Sequence, residues 1–193
     1  SVTREDDMRG ILRRYGTLLA LFALLILFSV LRGEVFFTLR NFINITQQIS
    51  ILMMVAIGAT YILAIAEFDL SLSSMVSFAG VVAAGMMVSG SHPLLATTVA
   101  LFLTVCFGLL NGFLVATLRL PSFVTTLATG TLLGGITFWY SGGTIIFSGI
   151  PRSFMVLGQG SLGRIPLSSL LMFALLFWSS YLLLCTALGK AIY

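Results

Sequence analysis

The chain has 193 residues, of which 59% are hydrophobic and 8% are charged, and its mean hydropathy is +1.12. Soluble globular proteins carry about 25% charged residues, so the composition excludes a soluble fold and indicates an integral membrane protein. The formal net charge of +4 is small and scattered along the chain, and no nucleic acid is expected as a partner. Cys106 and Cys185 lie in apolar runs and are interpreted as buried thiols rather than a disulfide.

The first part of the chain predicts a tail, a span and a polar connection. Residues 1–14 mix basic and acidic side chains and are expected to form a cytoplasmic N-terminal tail. Residues 15–31 are apolar and form the first predicted transmembrane helix, with Arg14 and Arg32 able to snorkel to the membrane surface. Residues 32–48 are polar, and a second span is predicted over residues 49–66.

An acidic, hydroxyl-rich stretch follows the second predicted span. Glu67 and Asp69 are the only carboxylates after Glu34, and they stand between two apolar runs. Ionised groups cost about 2.5–3.5 kcal/mol each at the centre of a membrane helix, so these acids require a specific role. Asp69 or Ser71 is able to cap the third span, predicted over residues 70–89, by accepting its free N–H groups.

The fourth span is predicted over residues 94–118 and contains a small-xxx-small pair. Gly108 and Gly112 flank Asn111, which either bonds to a neighbouring helix or reaches a central pathway. Both roles remain open, because a membrane-embedded amide satisfies its hydrogen bonds in either place.

The fifth and sixth spans are predicted over residues 122–140 and 167–188, separated by the longest loop, residues 141–166. The fifth span carries Thr125 together with Gly130 and Gly134. A face this polar and small is expected to pack against protein or to line a wet cavity. Gly108, Gly112, Gly130 and Gly134 are therefore predicted to serve helix packing.

These spans predict an all-α fold: a polytopic transmembrane helix bundle of about six spans. With the N-terminus in the cytoplasm, six of the ten Arg and Lys residues lie inside and four outside. The positive-inside tendency therefore predicts an N-in, C-in topology.

The residue types needed for catalysis are almost absent. His92 is the only histidine, so neither a paired-His metal site nor a His-Glu-x-x-His helix is present. The sequence contains no Gly-x-Ser-x-Gly elbow and no Gly-x-x-x-x-Gly-Lys-Ser phosphate loop. We therefore predict no catalytic residue, no metal site and no cofactor bound by this chain.

Six stretches in order resemble the permease subunits of ribose-type ABC sugar importers. They are residues 41–48, 56–60, 68–74, 109–115, 123–129 and 188–193. The third stretch is similar to the Gly-Ile-Asp-Leu-Ser-x-Gly-Ser signature of that family. Glu67 and Phe68 replace the small residues that usually precede the aspartate, and Ser73 replaces the glycine.

The resemblance implies a permease domain over residues 15–193, in the inner (plasma) membrane of a bacterium. It implies three partners: a second permease copy, a periplasmic sugar-binding protein that delivers a ribose-like or related monosaccharide, and a cytoplasmic ATPase subunit that hydrolyses ATP. It also implies that the chain is the N-terminal portion of a permease, since family members continue into an ATPase-docking loop and further spans. The expected substrate pathway consists of Asp69, Ser71, Ser74, Asn111 and Thr125.

Three alternatives remain open from the sequence. Asp69 is equally able to serve only as a helix cap. A second alternative to the ABC permease is a secondary transporter or channel subunit that uses its carboxylates as ion or proton sites. A third is a non-transporting membrane fragment. An ABC importer and a secondary transporter are distinguished by the energy source: uptake by the former depends on ATP hydrolysis, and uptake by the latter on an ion gradient.

Overall fold

The computed structural model describes residues 2–192, apart from the side chains of residues 2–14, Leu188 and Ala191. The side chains of the predicted tail, residues 1–14, therefore lie outside the described residues. The elements in chain order are α1 (Val2–Phe36), α2 (Leu39–Ala64), α3 (Leu72–Val88), α4 (Pro93–Ala116), α5 (Ser122–Ser141), α6 (Arg152–Gln159), β1 (Ser161–Leu162), β2 (Ile165–Pro166), α7 (Leu167–Cys185) and α8 (Ala187–Ile192).

The chain divides into two compact units, Ser1–Thr46 and Gln47–Tyr193. The first unit contains α1 and the beginning of α2. Helix α1 is interrupted at Arg32, whose φ of −144° and ψ of 40° are not helical. This break coincides with the predicted end of the first span at residue 31.

In the second unit, α3 packs against both α4 and α5. The core that they share is apolar: Met75, Phe78, Val82, Ala83 and Met87 of α3, Ala96 and Ala100 of α4, and Leu133 of α5. The rings of Phe78 and Phe107 meet edge to face with centroids 5.7 Å apart, a favourable geometry for aromatic pairs. Helix α3 contributes most of these buried side chains and is the centre of the unit.

Over residues 2–192, six helices overlap the six predicted spans. The polar connection predicted over residues 32–48 is mostly helical instead, because α1 continues to Phe36 and α2 begins at Leu39. Four of the six helices are long and apolar enough to cross a membrane: Tyr15–Phe36, Leu39–Ala64, Pro93–Ala116 and Leu167–Cys185. Helix α3 is apolar but has only 17 residues, and α5 has 20 residues with many threonines and glycines. The all-α, polytopic architecture predicted from the composition is confirmed.

Two details of the sequence analysis were wrong. The long connection after the fifth span is not irregular, because α6 begins after Pro151, which suits the start of a helix, and β1 pairs with β2 in an antiparallel hairpin. Gly163, with φ of 65°, makes the turn between these strands. Cys106 and Cys185 are exposed free thiols rather than buried ones, because they lie on outward-facing sides of α4 and α7.

Helix α2 ends in a Schellman motif, in which the Glu67 N–H donates to the Ile62 carbonyl and the Ala66 N–H to the Leu63 carbonyl. Ala66 occupies the left-handed position of this motif, with φ of 58°, where glycine is the usual residue. The motif turns the chain out of α2 and sends it toward α3.

Replacing Ala66 by glycine is expected to stabilise the protein by about 1 kcal/mol, because a Cβ atom is strained in the left-handed region. The midpoint of thermal unfolding in detergent measures the effect. Ala56→Gly, at an exposed position inside α2, is the matched control and is expected to destabilise by about 0.5–1 kcal/mol. A lower midpoint for Ala66→Gly would contradict the strain argument.

Candidate functional site

The segment between α2 and α3 runs alongside the first turns of α5. The backbone N–H of Phe68 donates to the hydroxyl of Ser122 at 3.4 Å, and the N–H of Leu70 donates to the hydroxyl of Thr126 at 3.1 Å. Ser122 and Thr126 are four residues apart and share one face of α5. Side chains of α5 thus satisfy backbone donors that an extended segment leaves unpaired.

The same face of α5 continues to Gly130, where the two backbones approach closely. A Cβ atom on Gly130 would lie 3.3 Å from the Cα of Ser71, so only glycine fits without displacement. Gly130 is eight residues beyond Ser122, or about 12 Å along the helix axis. Helix α3 therefore begins well within the length of α5, whereas the sequence had indicated a simple turn between two full spans.

Four polar residues form a continuous chain of hydrogen bonds at this level, which we call the polar network: Asp69, Ser71, Asn111 and Thr129. One carboxylate oxygen of Asp69 accepts the N–H of Ser71 at 2.7 Å and its hydroxyl at 2.5 Å. The Asn111 amide donates to the Ser71 hydroxyl at 3.1 Å. The Thr129 hydroxyl in turn donates to the Asn111 amide oxygen at 2.6 Å.

Most of the polar network is buried, and it joins α4 and α5 to the segment that precedes α3. Ser71 is 0% exposed and Asn111 is 5% exposed. The Thr129 hydroxyl and the Asn111 amide oxygen are partners of each other, so neither is left unsatisfied by burial. Asn111 thus bonds to a neighbouring helix, which is one of the two roles that the sequence left open.

The carboxylate of Asp69 accepts the backbone N–H of Ser71, the N-cap residue, and thereby shapes the turn before α3. The side-chain cap predicted for α3 is not formed. Ser71 itself makes no capping bond; its hydroxyl donates to Asp69 and accepts from the amide of Asn111. Neither Glu67 nor Asp69 pairs with a basic group among the side chains that the structure describes. The hydrogen-bond partners of Asp69 are therefore the N–H and the hydroxyl of Ser71.

The structure separates Thr125 from the polar network. Thr125 is buried and its hydroxyl donates to the Pro121 carbonyl at 3.0 Å, one turn back along the chain. Thr129, by contrast, belongs to the network and was not among the predicted site residues. The spacing of hydroxyl-bearing residues along α5 does not distinguish the two threonines, because only the packing of α4 against α5 selects Thr129.

The four glycines predicted to serve helix packing differ in their surroundings. Gly130 makes the close contact with the segment before α3. No atom lies within 4 Å of the position of a Cβ on Gly108, Gly112 or Gly134. Gly134 borders the first cavity described below, and Gly108 and Gly112 border the second. That these three glycines serve helix packing stays a prediction, since none contacts another helix of this chain at its Cβ position.

A cavity of about 390 Å³ lies between α3 and α5, and we call it the hydroxyl groove. Six hydroxyl-bearing residues line it: Ser73, Ser74, Ser77, Thr137, Ser141 and Thr144. Ser74 was among the predicted pathway residues, whereas Ser73, Ser77 and Thr137 were not. The spacing of Ser73 and Ser77, one turn apart, was the available sequence signal.

A second cavity, of about 370 Å³, borders the start of α5 and the end of α4, and we call it the carboxylate cavity. Glu67, Asp69 and Asn111 contribute to its lining, together with Ser122 and Thr126. Along α5, the carboxylate cavity touches residues up to Thr126 and the hydroxyl groove begins at Gly134. Thr129 and Gly130, which hold the polar network and the close backbone contact, lie between the two cavities.

The model of one protein family, described as "Branched-chain amino acid transport system / permease component", matches residues 41–193. The chain belongs to this permease family. The matched residues include the whole polar network and both cavities. The permease is therefore an integral membrane protein, and its family consists of transport components rather than enzymes.

Individual relatives agree with the resemblance deduced from the six stretches. The permease is 32% identical over 180 residues to the ribose import permease protein of Escherichia coli, covering 92% of this chain and 56% of that protein. It is 33% identical over 174 residues to the xylose transport system permease protein of Haemophilus influenzae, covering 88% and 46%. It is 30% identical over 183 residues to the D-allose transport system permease protein of Escherichia coli, covering 93% and 55%.

The chain spans about half the length of the curated relatives it matches. No solved structure matches it. The predicted resemblance to ribose-type ABC import permeases is confirmed.

Proposed function

We propose that this permease is the membrane subunit of a binding-protein-dependent ABC importer that carries a monosaccharide into the cytoplasm. The observation that carries the proposal is the pair of cavities on either side of the polar network, within a chain whose relatives are named as permeases for ribose, xylose and allose. A polar solute crossing a helix bundle needs such cavities, because lipid cannot satisfy its hydrogen bonds.

The proposed route follows α5 from the hydroxyl groove, past the polar network, to the carboxylate cavity. Ser74 lines the hydroxyl groove on one side of the network, and Asp69 lines the carboxylate cavity on the other. Under this proposal the hydrogen bond between Ser71 and Asn111 closes the route, and the two side chains separate when a substrate passes. Thr125 supports the route indirectly, by its bond to the first turn of α5.

Energy and substrate delivery are proposed to come from other subunits. The sequence has no phosphate-binding loop, so ATP is hydrolysed by a separate cytoplasmic ATPase subunit. A periplasmic sugar-binding protein delivers the substrate, and a second permease copy, identical or related, completes the membrane unit. A weak site suffices in the permease, since a solute must leave the pathway as readily as it enters. The proposed location is the bacterial inner membrane with both ends of the chain in the cytoplasm.

Asp69→Asn tests whether the carboxylate contacts the substrate. The substitution keeps an acceptor oxygen for Ser71 but removes the charge. Hydrogen bonds to charged groups contribute about 1.5–3 kcal/mol, so we expect uptake of labelled pentose per permease to fall about 10- to 100-fold, with normal abundance in the membrane. Uptake in vesicles that contain the binding protein and the ATPase is the measurement. A loss of uptake that only follows a loss of abundance would restrict Asp69 to a structural role in the turn before α3.

A second candidate function is ion- or proton-coupled transport. It is favoured by the start of α3 inside the length of α5, because helices that begin within the bundle and carry polar groups there are typical of secondary transporters. An ionophore that collapses ion gradients at constant ATP decides between the two mechanisms. Uptake that continues supports the ABC importer, and uptake that stops supports ion coupling.

A further inference from the structure

Two buried serines at the start of α7 have hydroxyls without a hydrogen-bond partner in the part of the chain that the structure describes. Ser168 is 4% exposed and Ser169 is 1% exposed, and neither Oγ atom has a donor or acceptor within reach. Buried polar groups are almost always hydrogen-bonded, so each exception requires a partner such as water or an ion. Neither serine belongs to the polar network or lines a cavity of the proposed route.

The position of the two serines in α7 explains why they lack the usual partner. A serine inside a helix ordinarily bonds to a carbonyl one turn back, as Ser50 of α2 does with the Gln47 carbonyl at 2.7 Å. Ser168 and Ser169 are the second and third residues of α7, so the residues one turn back belong to the preceding hairpin and not to the helix. Pro166 at the N-cap makes no side-chain bond, and hydrogen-bond donors therefore concentrate at this end of α7.

Helix α2 runs beside α7 in the same direction. The Gln47 amide donates to the Gly158 carbonyl at 3.3 Å, shortly before α7 begins. The Tyr61 hydroxyl donates to the Ser179 carbonyl at 3.3 Å, further along both helices. The first turns of α2 and α7 are thus at the same end of the pair.

The contact between Tyr61 and Ser179 also fixes which residues face each other nearer that end. Ser50 precedes Tyr61, and Ser168 precedes Ser179, by the same number of residues, which is about three turns or 16–17 Å along each axis. Ser50 and Ser168 therefore lie at the same level, on the faces of α2 and α7 that meet. Ser50 is 0% exposed, although the residues on either side of it are exposed, which agrees with a position against α7.

We infer that a buried water site lies between α2 and α7, where Ser168 and Ser169 donate to one or more water molecules and Ser50 accepts from them. The Ser50 hydroxyl donates to its own helix and keeps lone pairs for a water hydrogen. Neither serine of α7 bonds directly to Ser50, and a water molecule spans a gap of this kind.

Water fits the site better than a larger ligand does. Three hydroxyls supply the two to four partners that a buried water molecule needs, and the two Oγ atoms on α7 are closed off from the surface. Together with the hydrogen bonds of Gln47 and Tyr61, the water bridge holds the start of α7 against α2. This role does not depend on the solute that the permease carries.

Hydroxyl-radical labelling of the permease in detergent tests for the water, because radicals formed from a bound water molecule oxidise the nearest methionine even when it is buried. Met172 lies one turn beyond Ser168 on the same face of α7 and is 4% exposed. Met87, also 4% exposed, lies in the apolar core around α3 and is the matched control. We expect Met172 to form its sulfoxide several-fold faster than Met87. Equal rates would overturn the proposal.

Replacing both Ser168 and Ser169 by alanine removes the donors on α7. We expect the midpoint of thermal unfolding to fall by about 2–4 °C, the shift for the loss of one hydrogen bond in a chain of this size. The oxidation rate of Met172 should fall to that of Met87. Ser180→Ala, at a half-buried position of the same helix, gains the same helix propensity and should leave both measurements unchanged.

Two results of the double substitution would each refute the water site. An unchanged or higher midpoint would show that the hydroxyls are dry, because alanine then relieves an unpaired buried polar group. A lower midpoint with unchanged oxidation of Met172 would show that a direct hydrogen bond, and not water, was lost. Ser169→Ala alone repeats both measurements if the double variant is absent from the membrane.

Discussion

Replacing Asn111 by leucine is expected to destabilise the helix bundle by about 2–4 kcal/mol, through lost hydrogen bonds and one orphaned donor. The amide is nearly fully buried and is the only link between the hydroxyls of Ser71 and Thr129 within the polar network. Leucine has a similar size and leaves both hydroxyls facing an apolar side chain. The midpoint of thermal unfolding in detergent is the measurement.

A double-mutant cycle distinguishes the polar network from a simple packing effect. Thr129→Val alone is expected to destabilise the protein, but in the Asn111→Leu background it should cost much less, because both partners are then apolar. Thr131→Val, at an exposed position whose hydroxyl bonds only to its own helix, should stay within about 0.5 kcal/mol. Additive effects of the two network substitutions would show that the Asn111–Thr129 bond contributes nothing.

Substitution of Gly130 by leucine is expected to have the second large effect, a severe loss of abundance in the membrane. A Cβ there meets the Ser71 Cα at 3.3 Å, and the Leu70 carbonyl oxygen and Ser74 hydroxyl at 3.4 Å. Gly130→Ala requires a shift of a few tenths of an ångström and is expected to be tolerated in part. Leucine adds three further carbons where backbone already stands, and overpacking of this kind costs about 1–3 kcal/mol or more.

Gly80→Leu is the matched control, because Gly80 lies inside α3 and nothing stands within 4 Å of its Cβ position. Both substitutions replace glycine in a helix and gain the same helix propensity, so the difference between them reports the close contact alone. Equal abundance of Gly130→Leu and Gly80→Leu would refute the close approach of α5 to the start of α3.

The positions of the spans were predictable because membrane thickness and hydrophobic length leave few choices. The break at Arg32 and the apolar helices α4 and α7 appeared where the hydropathy of the chain predicted them. Helix α2 was predicted only in part, because it begins at Leu39, inside the predicted polar connection. The short helix α6 and the hairpin that follows it were missed. Both are too short for hydropathy to detect, and local residues such as Pro151 and Gly163 direct them.

The site was predictable in its residue types but not in its arrangement. Asp69, Ser71 and Asn111 were predicted as pathway residues because their polar groups suit a sugar, and the structure joins all three by hydrogen bonds. Their part in a substrate pathway stays a prediction. Thr129 was missed and Thr125 was placed in the pathway, although the two threonines are only one turn apart. The difference between them depends on which face of α5 meets α4, and no local pattern in either helix contains that information.

The sequence by itself determined that this chain is a polytopic helical membrane protein and that its family resemblance is to sugar import permeases. The length of an apolar run and the residue types of a motif are local properties, so both can be recognised in the sequence without knowing the tertiary structure. Only the tertiary structure decided that α3 starts beside Gly130 and that a buried network lies between two cavities. These features arise from the register between helices distant in sequence, which is set by how their side chains and backbones fit together.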